Sequence, residues 1–231
     1  MNNKFLKGMS HGIPIALGYF SVSFGFGIKA VMSGLSVAES SVISLTNLTS
    51  AGQAAGVDII AAGGSLLEMI IVQLTINIRY SLMSLSLSQK LDKKFTMPHR
   101  LLVSYGITDE IFAVCSAQTG LLTPAYMYGM IFIAAVGWVL GTFLGASAGE
   151  FLPQSISSAM GIVLYGMFLA IIIPPAKKEK SVLFVISLAA LLSIIFYYFI
   201  DSVSAGFAMI ISAIISAAAG AFFFPVKEIK T

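Results

Sequence analysis

Charge is scarce in this chain. Only 10% of its 231 residues are charged and 58% are hydrophobic, with a mean hydropathy of +0.95. Soluble domains run at roughly 25% charged and 45–50% apolar, so the composition excludes an ordinary water-soluble fold. Cysteine occurs once, at Cys115, which excludes an internal disulfide and any cysteine-rich metal centre. His11 and His99 are the only histidines, both in terminal or loop context, so a histidine metal cluster lacks its ligands and neither a metal nor another cofactor is expected. Hydrolase parts are also short. There are no two histidines at i and i+4 for zinc, no G-x-S-x-G nucleophile turn is expected, and no enzyme is expected. Without a G-x-x-x-x-G-K-[ST] loop, ATP could act only through another protein.

What is present is a series of long apolar runs. A chain of this length has room for about six to eight crossings of ~20 residues and no appended soluble domain, so residues 1–231 are read as a single membrane domain. Lys4 and Lys7 precede a first run at 12–32, too long for a signal peptide and without a small-x-small cleavage site. Within it Gly18, Ser21 and Gly25 share a face that would admit another helix. Clear spans follow at 64–88, 124–148, 156–174, 181–199 and 204–224. The net charge of +3 comes from loop and tail lysines, so it reports topology and not nucleic-acid binding.

Two stretches are unlike the rest. Residues 37–61 gather Ser44, Thr46, Asn47, Thr49, Ser50, Gln53 and Asp58, and residues 101–122 carry the adjacent acids Asp109 and Glu110. A lipid-facing helix would not look like this. At membrane depth such segments line a cavity or are buried in protein, with Gly52 and Gly56 allowing non-helical backbone in the first and Gly63-Gly64 a hinge after it; a surface loop is the other reading of 37–61. The run 64–88 holds Arg79 near its middle, where a guanidinium costs roughly 2.5–3.5 kcal/mol on insertion scales and needs a partner. Asp109-Glu110 is the expected one; the alternative is an arginine snorkelling to the basic side. Asn77 and Arg79 point to opposite sides of that helix, so either both sides are polar or the helix breaks near 76–78.

Basic loops order these pieces. Lys90, Lys93, Lys94 and Arg100 in 89–100, the PPAKKEK stretch at 174–180, and Lys227 and Lys230 all mark the cytoplasmic side, as do Lys4 and Lys7. All four markers stay inside only if 37–61 and 101–122 fail to cross. The expected fold is therefore an all-α polytopic membrane protein of six full helices plus two re-entrant or broken segments, the first entered from outside and the second from inside, with both termini cytoplasmic. Eight crossings would cost only the 89–100 loop placed outside. Gly137, Gly141, Gly145 and Gly149 strip one helix face for close packing, against this chain or another subunit, and Ser212, Ser216 and Gly220 form a second such face.

The AGQ at 51–53, the NIRYSLMSLSL stretch from Asn77 and the TDE at 108–110, in this order, resemble the AzlC family of branched-chain amino acid permeases over essentially the whole chain. The resemblance implies export of branched-chain amino acids and their analogues together with a small hydrophobic AzlD-type partner. It makes Gly52, Gln53, Asn77, Arg79, Thr108, Asp109 and Glu110 the signature residues. Tyr80 stands where members commonly have histidine, and Thr49–Ala51 replaces a more aromatic or apolar lead into Gly52-Gln53.

The residues themselves suit a small zwitterion. Arg79 can clamp a carboxylate, Asp109 or Glu110 can meet an ammonium or take a proton, and Gln53, Asn77 and Thr108 can supply neutral hydrogen bonds. Two acids side by side hinder each other's ionisation, which would allow coupling to protons. The competing readings are a static ion-pair network and a non-transporting scaffold for a partner subunit.

Overall fold

The runs at 12–32, 64–88, 124–148, 181–199 and 204–224 are all helical in a computed structural model that describes residues 2–151, 153, 166, 169, 172–200 and 202–225. In order the described helices are α1 (Asn2–Met32), α2 (Val37–Thr46), α3 (Ala51–Ala61), α4 (Leu66–Ser88), α5 (Met97–Ser104), α6 (Asp109–Ala117), α7 (Pro124–Gly149), α8 (Lys180–Phe199) and α9 (Ala205–Phe223). Among the described residues, the only β pairing is an isolated parallel bridge between Leu91 and Leu122. Five of the described helices, α1, α4, α7, α8 and α9, are long and apolar enough to cross a membrane. Most of the span expected at 156–174 lies outside the described residues. Residues 172–178 are helical, Pro174 and Pro175 included.

The chain forms two compact units, residues 1–57 with 76–164 and residues 58–75 with 165–231. The first is built on α1 against α7. A Cβ on Gly129, Gly137, Gly141 or Gly145 would collide with the carbonyl oxygen of Phe5, Ala16, Phe20 or Phe24 in turn, and Gly149 sits over Ile28 with 3.3 Å to its Cα. The contacts climb both helices together, so α1 and α7 are parallel. From the other side Gly8, Gly12 and Gly27 lie against the α7 backbone, which is what lets two helices approach this closely. Gly18 and Ser21 are not in this seam: a Cβ on Gly18 meets nothing within 4 Å, and Ser21 is exposed. The approach face of α1 toward α7 carries the small residues at 8, 12 and 27, and of the 18/21/25 set only Gly25 is buried.

This pair is a ruler for the two polar segments, because both of its N-termini define one end. At that near end His99 Nδ1 is 2.7 Å from Tyr128 Oη, and His11 Nδ1 is 2.8 Å from Tyr126 Oη. There too the Asp92 amide donates to Leu122 O and the Leu122 amide to Lys90 O, each at 2.8 Å, so the loop 89–100 is stitched to the start of α7. Lys90 Nζ donates to Ser116 O and Gln118 O, at 2.6 and 2.7 Å, closing the last turn of α6 at the same end. Yet the turn between α5 and α6 is deep: Gly106 abuts Ile131, and Tyr19, midway along α1, reaches Thr108. Residues 97–117 therefore go in and come back on one side.

Residues 37–57 do the same from the opposite end. α2 starts just past the far end of α1, where Ser36 and Glu39 form a capping box; the Ser36 hydrogen bonds hold the exposed Glu39 carboxyl below the usual range. Its last turn is deep, with Ser44 Oγ 2.7 Å from Thr142 Oγ1. α3 returns, since Val57 is packed with Phe26, Ala30 and Leu35 near the far end of α1. The break falls at 47–50, where Asn47 Oδ1 accepts from the Thr49 amide at 3.1 Å and Ser50 takes a positive φ of 46°. Gly52 and Gly56 are helical residues of α3 and not the break, because an Asx turn and one left-handed serine suffice to reverse the chain.

In the second unit α8 and α9 are antiparallel, with Gly220 set against Val185 and Phe184 ringed by Phe223. Glu68, in the first turn of α4, accepts from Ser204 Oγ at 2.5 Å and from the Gly206 amide at 3.0 Å. A buried carboxylate thus satisfies one of the orphan amides that open α9, that of Gly206, while Ser204 Oγ caps the Phe207 amide. Gly63, at φ 65°, makes the turn into Gly64 before α4. α4 itself is continuous, so the break considered near 76–78 does not occur; Asn77 and Arg79 both lie on an unbroken helix.

Candidate functional site

The two breaks come together. Tyr105, at the turn of the second hairpin, donates its hydroxyl to Leu45 O in the last turn of α2 at 2.6 Å. Leu45 O is one of the four carbonyls that a helix C-terminus leaves unpaired, so the bond ties one tip to the other. At each tip a helix ends and another begins. The N-termini of α3 and α6, with their partial positive charge, start there.

Thr108, Asp109 and Glu110 open α6. Thr108 is the N-cap, its Oγ1 accepting from the Ile111 amide at 3.4 Å, and the two acids occupy the first turn, where the helix field favours negative charge. The acids then diverge. Arg79 Nη1 is 2.9 Å from Asp109 Oδ2, and Arg79 also lies against the Tyr80 ring, 5.0 Å from its centroid, with Nη2 3.3 Å from Tyr80 Oη. Glu110 turns to α1 instead, its Oε2 2.6 Å from Tyr19 Oη.

Tyr19 is the hub that composition did not flag. Its hydroxyl is 2.5 Å from Thr108 Oγ1 as well, and its ring stands edge-on to Trp138 at 5.2 Å. One phenolic proton cannot serve both oxygens, so either the Thr108 hydroxyl or the Glu110 carboxyl brings a proton of its own. Thr108, Tyr19 and Glu110 thus form a short line of hydrogen bonds between α1 and the first turn of α6. No pattern in a single sequence marks Tyr19, since it stands among apolar and small residues of an ordinary span.

Gln53 lies in the first turn of α3, 2% exposed, with Nε2 donating to Ser44 Oγ at 3.0 Å and thence to Thr142. Its Oε1, like Thr49 Oγ1, is buried without a hydrogen-bond partner among the described residues. The ion pair is different: the Arg79 and Asp109 side chains are 44% and 42% exposed in this chain alone. The site therefore combines a closed neutral half on α2, α3 and α7 with an open charged half on α4 and α6. Asn77 lies on α4 two residues before Arg79, and Gly63 and Gly64 belong to the turn before that helix, away from the tips in sequence.

Among the described residues no group of three or more histidine, cysteine or acidic side chains could hold a metal. Gly145–Gly149 does read G-x-S-x-G, but it lies inside α7 with Gly145 against Phe24 and not on a strand-to-helix turn, so it is not a nucleophile elbow.

Long apolar helices and two helix breaks joined at their tips, with an arginine and two acids beside them, define a polytopic helical membrane protein. The AzlC protein family model matches residues 14–152, and the chain belongs to that family. It is 28% identical over 176 residues to the inner membrane protein YgaZ of Escherichia coli, covering 73% of this chain and 72% of the relative. An uncharacterized membrane protein of Archaeoglobus fulgidus is 32% identical over 174 residues, covering 74% and 75%, and one of Helicobacter pylori 24% over 177, covering 73% and 76%. No solved structure matches the chain.

Proposed function

We propose that this chain is the large subunit of a secondary transporter that exports branched-chain amino acids across the cytoplasmic membrane, together with a small AzlD-type membrane partner. The observation that carries the reading is the joining of two broken segments, entered from opposite ends, through Tyr105 and Leu45 O, with Asp109 and Glu110 opening the returning helix of one segment and Gln53 in the first turn of the other. Such an arrangement lets half-helix ends and unwound backbone face a substrate at mid-depth, with access alternating between the two sides. Arg79 holds the carboxylate, Asp109 or Glu110 meets the ammonium, and Gln53 and Thr108 supply neutral contacts. The Thr108–Tyr19–Glu110 line couples the cycle to protons. The half-exposed ion pair needs cover in a bilayer, and a small hydrophobic subunit is suited to give it.

The same geometry supports six full crossings with two re-entrant hairpins and cytoplasmic termini. Lys4, Lys7, Lys90, Lys93, Lys94 and Arg100 fall at the near end, which is therefore taken as cytoplasmic. Eight crossings would put the 89–100 loop at the far end, away from the α7 start to which it is bonded.

The test is flux of labelled valine, leucine and isoleucine in proteoliposomes carrying this chain and its small partner, with and without a proton gradient. Gradient-dependent leucine movement that alanine and lysine do not match supports the reading. A folded complex that moves none of them would make this chain a scaffold.

A further inference from the structure

A cavity of 270 Å³ lies between the C-terminal half of α4 and α5, apart from the ion pair, lined among others by Leu87, Phe95, Arg100, Val103, Ser104 and Ile107. That volume is close to the ~300 Å³ lower bound of small-molecule sites, room for something of amino-acid size and not for a nucleotide. Its direction is set by α5. Phe95 and Arg100 are at the basic near end, and Ile107 at the deep end immediately precedes Thr108, so the cavity leads from the proposed cytoplasmic side to the hairpin tip.

The lining is chemically one-sided. Leu87, Phe95, Val103 and Ile107 are all less than a tenth exposed, and their side chains make an apolar wall. Ser84, Ser88 and Ser104 add hydroxyls, and among the described residues no carboxylate lines the cavity. Arg100 is the one cation among the described lining residues. It spends its Nε on Phe95 O at 3.5 Å, and the guanidinium carries five N–H donors in all, which suit a carboxylate at the mouth.

We propose that this cavity is a cytoplasmic loading site for the transported amino acid, with Arg100 taking the α-carboxylate, the serine hydroxyls the ammonium, and Leu87, Val103 and Ile107 a branched aliphatic side chain. The inference rests on the transport reading above and adds to it a second arginine and a first point of selection. Alanine would leave the wall unfilled. Lysine would set a second ammonium against it, with no acid to meet it.

The experiment is a binding readout that needs no flux. Leu101→Cys, a lining position given no part in binding, in a Cys115→Ala background with its small partner in phosphatidylcholine vesicles, is labelled from the cytoplasmic side with a membrane-impermeant thiol reagent; Leu91→Cys serves if that variant does not fold. Leucine should slow labelling severalfold, while alanine and lysine at the same concentration should not. Arg100→Gln should remove the protection and raise KM for leucine roughly tenfold with kcat little changed, as expected for loss of one charge-assisted hydrogen bond outside the transition state. Labelling that ignores leucine in a protein that still moves leucine overturns the loading site and leaves the transport reading intact. Protection by leucine in a protein that moves nothing would overturn transport and keep the site. Labelling slowed by added phosphatidylglycerol and not by leucine would make the cavity a lipid site and overturn the proposal.

Discussion

At the scale of single residues, the Arg79–Asp109 pair and the Tyr19–Glu110 contact divide the labour of the two adjacent acids. Arg79→Gln should abolish leucine flux while leaving folded protein. Combined with Asp109→Asn it should cost less stability than the two changes summed, with a coupling of about 0.5–3 kcal/mol by thermal unfolding in detergent. Additive costs with wild-type flux would make the arginine a snorkelling anchor. Tyr19→Phe keeps the ring on Trp138 and removes only the hydroxyl. It should cost about 1 kcal/mol of stability and flatten the pH dependence of flux, measured across inwardly imposed pH steps. An unchanged pH profile would move the proton path away from this line.

The charges were legible in the sequence because charge is costly at membrane depth, and Arg79 with acids in another apolar run admits few pairings. Which acid it meets was not legible, since Asp109 and Glu110 differ only in the direction that the first turn of α6 gives them. Thr108-Asp109-Glu110 also carried a signal that a family motif obscures. A threonine followed by two acids is a helix start, and read that way it locates the break in 101–122 from the sequence alone.

At the scale of elements, the molecule depends on the backbone contact between α1 and α7. Gly141→Leu or Gly145→Leu would drive a side chain into the carbonyls of Phe20 or Phe24, which belong to a helix and cannot yield locally. Each should destabilise at or beyond the ~1–3 kcal/mol usual for overpacking, measurable as a fall in Tm without the small partner present. Gly149→Leu should cost less, because Ile28 Cα leaves 3.3 Å there. Equal tolerance at all three would show that the seam is not the one described. The glycine repeat revealed that something packs on α7, but a row of small residues is silent about what fills it. The direction of the partner helix came only from the register of Phe5, Ala16, Phe20 and Phe24 along it. The first hairpin was legible as a polar interruption and misplaced in detail, because glycine at 52 and 56 drew the break into a stretch that a buried, hydrogen-bonded Gln53 keeps helical.

At the scale of the whole molecule, the parallel course of α1 and α7 restricts topology more than hydropathy does. If α1 and α7 cross in the same direction, the chain between them must make an odd number of crossings. With α4 counted once, the two polar segments must both cross or both turn back; a chain in which only one crosses is excluded. The near-end position of 89–100 is what the proposed topology, with both segments turning back, requires, and that proposal predicts sidedness directly. In a Cys115→Ala background, single cysteines at Lys93 and Lys178 should react with an impermeant thiol reagent only from the cytoplasmic side, and one at Ser36, in the turn between α1 and α2, only from outside. Lys93 is exposed in the loop bonded to α7, so lack of reaction from both sides would not be a matter of burial. Labelling of position 93 from outside, with Ser36 also outside, would require both polar segments to cross. It would replace the paired hairpins with eight crossings, and would separate the tips that Tyr105 and Leu45 O join.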